Sequence, residues 1–132
     1  MLGNFKLSKE SIFLDASTLL ELYLRRPKSL QIQTILAEFD KLYITPVTIG
    51  ILFFYAEKEK LDMQIAEFIV ANCHILSMSD STYKIVKQIY NKKDLEDAMQ
   101  IACAKENNIQ TVLTLDKEMA KKYGEMIDFV AV

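Results

Sequence analysis

Short apolar, β-prone runs alternate with longer stretches of helical periodicity along this chain, and that alternation most limits the fold it can adopt. Ser11-Ile12-Phe13-Leu14 reads as a first strand, followed at once by Asp15 and a helix through Leu19, Leu20, Tyr23 and Leu24. Arg25-Arg26-Pro27 ends that helix, because the residue before a proline avoids the α region. Ser29 is a candidate cap for a second helix, in which Ile32, Ile35, Leu36 and Phe39 recur at helical spacing. Leu42-Tyr43-Ile44 is a short second strand, and Pro46 suits the first turn of a third helix. A fourth helix is expected over Leu61 to Ala71 and a third strand over His74 to Leu76. Asp80 or Ser81 opens the next helix, through Tyr83, Val86, Ile89 and Tyr90, and Asp94 opens one running to about Glu106. Thr111 to Thr114 is a fourth strand, Lys117 to Tyr123 a short helix, and Ile127 to Val130 a last strand. Strands separated by helices pair in parallel through right-handed crossovers, which gives a three-layer α/β/α domain.

The 132 residues are expected to form one domain over positions 1–132, without linker or repeat. The formal net charge of −2 argues against a broad basic surface for nucleic acid, so any RNA contact must rest on local lysines and arginines. Cys73 and Cys103 lie in apolar surroundings and are expected to be reduced core residues. The segment Met1 to Glu10 is broken by charge and has no secretory core. The longest apolar run, Val47 to Ala56, is about half the length needed to cross a bilayer. A cytoplasmic protein that neither enters nor crosses a membrane is expected.

In parallel α/β sheets, sites collect where strands end at their carboxyl edge. Asp15 follows the first strand and Asp116 closely follows the fourth. Asp97 lies in the first turn of the helix before that fourth strand. Carboxylates held together repel and are costly to bury ionised, so a cluster of them calls for a cation. Mg²⁺ and Mn²⁺ favour oxygen ligands and keep waters, one of which can attack a phosphodiester. Each aspartate also has a plainer role. Asp15 and Asp116 can cap the helices that follow them, and Asp94 and Asp97 have the spacing of a capping box. Taken singly, capping is the commoner role; three acids at such positions together favour the metal.

Ile12-Phe13-Leu14-Asp15-Ala16-Ser17 resembles the opening strand and aspartate of the PIN domain family. Asp97-Ala98-Met99-Gln100-Ile101-Ala102, followed by Thr111-Val112-Leu113-Thr114-Leu115-Asp116-Lys117-Glu118, is similar to that family's C-terminal signature. In size the chain looks most like the toxin ribonucleases of toxin–antitoxin pairs. The resemblance implies a five-stranded parallel sheet of order 3-2-1-4-5, which would make the first and fourth strands neighbours and bring Asp15 beside Asp116. It implies that Asp15, Asp97 and Asp116 are catalytic ligands of Mg²⁺ or Mn²⁺, with Ser17 and Thr114 orienting them by hydrogen bonds. RNA as substrate, a protein antitoxin as partner and a homodimer are further implications.

One departure bears on that implied activity. The family commonly carries a glutamate in the third helix, within a segment resembling Ile44-Thr45-Pro46-Val47-Thr48-Ile49-Gly50-Ile51-Leu52. Here the matching position is Ile51. Glu57, six residues on, is rotated by about 240° around the helix and displaced by about 9 Å. A three-acid site binds its cation more weakly. The alternative is therefore a PIN fold that has lost catalysis and serves as a binding module. A third reading, a phosphatase of the haloacid-dehalogenase type, needs a second aspartate where this chain has Ser17.

Among other features, Val47 to Ala56 suits either a buried helix or a self-association surface. Lys92, Lys93 and Lys117 stand close to the aspartates and could line an RNA path, although solvated lysines are the commoner case. His74, the only histidine, starts a strand and is expected to be structural.

Overall fold

A computed structural model describes residues 9–132. The reading of Met1 to Glu10 as lacking a secretory core therefore falls mainly outside the described residues. Strand β1 (Lys9–Leu14) leads into α1 (Ala16–Tyr23), then α2 (Ser29–Leu36), β2 (Phe39–Ile44), α3 (Pro46–Lys58), α4 (Met63–Ala71) and β3 (His74–Ile75). The second half adds α5 (Asp80–Ile89), α6 (Leu95–Glu106), β4 (Thr111–Leu113), α7 (Lys117–Tyr123) and β5 (Asp128–Val130). The sheet is parallel throughout with order β3-β2-β1-β4-β5, as expected.

The strand sequence explains its own burial. Ile12, Phe13 and Leu14 have no polar alternation and are fully buried, because helices cover both faces of β1. Ile12 and Leu14 pack with Leu19, Tyr23, Ile32 and Leu52 on one face. Phe13 packs with Ile101, Val112, Met119 and Tyr123 on the other. Order reverses at β1, with β2 and β3 on one side and β4 and β5 on the other. The register of Phe13 against Val112 and Leu14 against Leu113 sets Asp15 beside Thr114 at the switch point.

Several local expectations are corrected. Phe39 belongs to β2, not to the preceding helix; α2 stops after eight residues and Phe39 pairs with Lys9 in the sheet. Ser29 is the first residue of α2 rather than its cap, and its hydroxyl accepts from the Gln33 side chain at 3.2 Å. The cap position of α5 is Ser79, which forms a capping box with Thr82. Helix α4 starts at Met63, capped by Asp62. The third strand is only two residues long, and its His74 ring lies 5.3 Å from that of Tyr43.

Helix α3 is not buried all round. Leu52 and Ala56 are fully buried, whereas Phe54 is 61% exposed and meets Tyr55 edge-on. On α4, Phe68 is 69% exposed. Cys73 and Cys103 are free thiols, and burial pushes each up to about 11, which keeps them protonated and inert. Among the described residues, no helix is long and apolar enough to cross a membrane.

Candidate metal centre

Asp15 sits at the end of β1 with an extended backbone and caps α1 by accepting from the Thr18 amide at 3.1 Å. The capping role and the cluster role thus coincide in one side chain. It is 3% exposed, and hydroxyls surround it. Ser17 Oγ lies 2.8 Å from Oδ1 and 3.0 Å from Oδ2, and Thr18 Oγ1 lies 3.0 Å from Oδ1. Thr114 Oγ1 donates to Oδ2 from the neighbouring strand end. Burial pushes the Asp15 carboxyl up, and the hydrogen bonds from Thr114, Ser17 and Thr18 pull it back. Ser17 also accepts from the Leu115 amide at 3.1 Å, and Thr114 from the Asp116 amide at 3.0 Å. Those two bonds fix the turn that leads from β4 into α7.

Asp116 caps α7, with Oδ1 accepting from the Glu118 and Met119 amides at 2.9 and 3.2 Å. Its other oxygen takes no bond from the described residues. Asp97 occupies the first turn of α6, where a carboxylate gains from the helix dipole. The capping box suggested by Asp94 and Asp97 does not form. Asp94 has a left-handed backbone, φ 54°, and caps nothing with its side chain. The half-buried Asp97 carboxyl therefore has no hydrogen-bond partner among the described residues. Burial pushes it up to about 6, and the charges of Asp116, Asp94 and Asp15 add to the rise while Lys122 opposes it. The first and fourth strand ends and the start of α6 thus bring the three sequence-predicted aspartates within electrostatic reach of one another.

They do not form a closed cage. Among the described residues no group of three His, Cys, Asp or Glu side chains is gathered tightly enough to ligate one ion directly. The donor set still suits a hard cation. Among the described residues both oxygens of Asp97 and one of Asp116 take no hydrogen bond, and Asp97 is pressed by like charge, so these oxygens would be the ones to hold Mg²⁺ or Mn²⁺.

Behind Asp97 a buried polar chain crosses from α6 to α3. Thr48 donates to the Gln100 side-chain oxygen at 3.2 Å and exchanges capping-box bonds with Thr45. Sequence reading passed over Gln100, whose only signal was an amide on the helix face that carries Ile101 and Ala104 into the core. Ile51, one turn beyond Thr48 on α3, is half-buried.

A cleft of about 490 Å³ opens beside Asp97, between the α5–α6 connection and α7. Asn91, Lys93, Asp94, Glu118, Lys121 and Lys122 line it with Asp97 and Met119. Of the three lysines read from the sequence, Lys93 alone lies there. Lys117 lines a separate cleft with Thr114, Asp116 and Lys28, and Lys92 lines neither.

The fold has close structural counterparts. A toxin–antitoxin complex from Klebsiella pneumoniae superposes with a TM-score of 0.72 at 17% identity, over 91% of this chain and 96% of that one. VapBC2 from Rickettsia felis, bound to a DNA fragment from its promoter, gives 0.73 at 14% identity, over 92% and 99%. VapC20 from Mycobacterium tuberculosis, a toxin that cleaves the sarcin–ricin loop, gives 0.68 at 14% identity, over 92% and 98%. No curated protein sequence matches this one. The sequence model of the PIN domain matches residues 12–125, a span that holds the end of β1, all of β4 and all three aspartates. With that match and the β3-β2-β1-β4-β5 sheet, the chain belongs to the PIN domain family.

Proposed function

We propose that this protein is a divalent-cation-dependent endoribonuclease, acting as the toxin of a toxin–antitoxin pair. The observation that carries the reading is the Asp97 carboxyl, unbonded, half-buried and pushed up to about 6 by burial and by neighbouring carboxylates. A site built only for stability would pair or solvate such a group. Asp97 and Asp116 offer the free oxygens for the cation. Asp15 adds charge from below, held in place by Ser17 and Thr114. A bound Mg²⁺ or Mn²⁺ would supply an activated water and neutralise charge on the scissile phosphate. The solved structures of like fold include toxin–antitoxin complexes, which supports a protein antitoxin as partner. Exposed Phe54 and Phe68 suit cover by that partner or by a second copy of the chain.

A second reading, a PIN fold that binds without cutting, is favoured by one observation. Ile51 stands where the family commonly has glutamate, so one carboxylate is missing from the donor set. The test is cleavage of a labelled single-stranded RNA by purified protein with Mn²⁺, beside Asp97→Asn. Cleavage lost in the variant and in EDTA supports the nuclease. An inactive wild type whose melting temperature ignores millimolar Mn²⁺ would establish the binding module instead.

A further inference from the structure

We infer that the cleft between the α5–α6 connection and α7 seats the RNA backbone next to the scissile phosphate, with Lys93 and Lys121 as its phosphate contacts. The inference rests on the ribonuclease reading and adds where the substrate lies. Two clefts adjoin the aspartates, one on each side of α7. In the one that holds Lys117, Lys28 Nζ is already engaged with the Val132 carbonyl at 3.2 Å, and the wall is largely Ala120, Phe129, Val130 and Ala131. The other reaches Asp97 itself and is lined mostly by charged side chains.

Three lysines line that second cleft, and they divide by role. Lys122 donates to the Lys93 carbonyl at 3.3 Å and lies over the Tyr123 ring, so it ties α7 to the connection. That connection is held in an unusual shape, with Lys92 and Asp94 both left-handed on either side of Lys93. Lys93 and Lys121 are exposed, and neither side chain has a hydrogen-bond or ion-pair partner among the described residues. A cation held at one end and two unpaired ammonium groups along the wall match a run of phosphates.

Asp94, Asp97 and Glu118 balance the three lysines, so the empty cleft is close to neutral. A divalent cation at Asp97 makes it positive. RNA affinity in this cleft is therefore coupled to the cation, which suits a protein whose net charge is −2.

The experiment is fluorescence anisotropy with a labelled single-stranded RNA, with Ca²⁺ used as a probe cation in place of Mg²⁺ or Mn²⁺. The variants are Lys93→Gln/Lys121→Gln and, as control, Lys41→Gln/Lys84→Gln, whose lysines are exposed and line neither cleft. The cleft variant should weaken binding by roughly tenfold or more and flatten the salt slope by about 1.4, two phosphate contacts on a single strand. The control should bind like wild type. Wild-type affinity should rise with Ca²⁺, and that rise should vanish in Asp97→Asn. Equal losses in both double variants, or an unchanged cleft variant beside a wild type that binds RNA, overturns the cleft assignment alone. A wild type that neither binds nor cuts RNA removes the ribonuclease reading along with it.

Discussion

The Thr114 hydroxyl donates to Oδ2 of Asp15 across 99 residues of sequence, joining the ends of β1 and β4 at the point where strand order reverses. This bond does two things at once. It satisfies a carboxylate that is otherwise costly to bury, and it fixes the turn on which Asp116 stands, because the same Thr114 oxygen accepts from the Asp116 amide.

Thr114→Val keeps the shape of the side chain and removes both bonds. It should cost about 1.5–3 kcal/mol of stability, the usual loss when a buried charged acceptor is deprived of its donor. The Thr114 bond is the largest influence lowering the Asp15 carboxyl, so its removal raises that carboxyl further. The bond favours the ionised carboxyl, so the loss should be greater at the higher of two pH values, such as 8 and 5. Urea denaturation at the two pH values reads both effects. Equal stability of variant and wild type at pH 8 would mean that the bond contributes nothing.

Asp97 makes the opposite kind of prediction. Its folded-state value, about 6, lies above the ordinary 3.8, so the fold favours its protonated form. Near pH 3.5 the group is mostly neutral in both folded and unfolded chains and costs little. As pH rises from about 4 through 6, ionising it opposes folding, and the penalty is then carried at all higher pH. Metal-free Asp97→Asn should accordingly match wild type near pH 3.5 and melt higher at pH 7.5. Adding millimolar Mn²⁺ should narrow the gap by stabilising wild type alone. Melting curves in EDTA across this range decide it; a variant less stable than wild type at pH 7.5 contradicts the account.

The fold was legible in the sequence because each element carries its own period. Ile12, Phe13 and Leu14 announce a strand buried on both faces, and Val86 and Ile89 a helix face. The strand order came from resemblance, since periodicity says nothing about neighbours. Boundaries failed where a tertiary contact outweighed local pattern. Phe39 continues a helical repeat yet pairs in the sheet, and Ser29 has a good cap side chain but lies one residue inside its helix. At the site, Asp15 and Asp116 stand at strand ends and could be read directly. Lys121 and Lys122 could not, because ending a helix with lysine is ordinary. Only the fold of α7 against the α5–α6 connection turns them toward Asp97.

The last prediction concerns Ile51. It follows Thr48 by one turn and so shares its side of α3, the side that meets α6 through Gln100. Leu52, its neighbour, is fully buried in the core, whereas Ile51 is half-buried. Ile51→Glu would add a fourth carboxylate to a site where Asp97 is already under like-charge pressure. The metal-free variant should lose on the order of 1–2 kcal/mol through that repulsion. Mn²⁺ should bind it about tenfold more tightly, a gain of roughly 1.4 kcal/mol, and restore the stability lost. RNA cleavage should rise with the occupancy. Leu52→Glu serves as the contrast, since a charge placed in the closed core has neither water nor cation to meet. Titrating Mn²⁺ while following the melting temperature separates the two variants. If Ile51→Glu behaves like Leu52→Glu, destabilised beyond rescue by any cation, then this helix does not face the aspartates, and its match to the family's glutamate segment is misplaced.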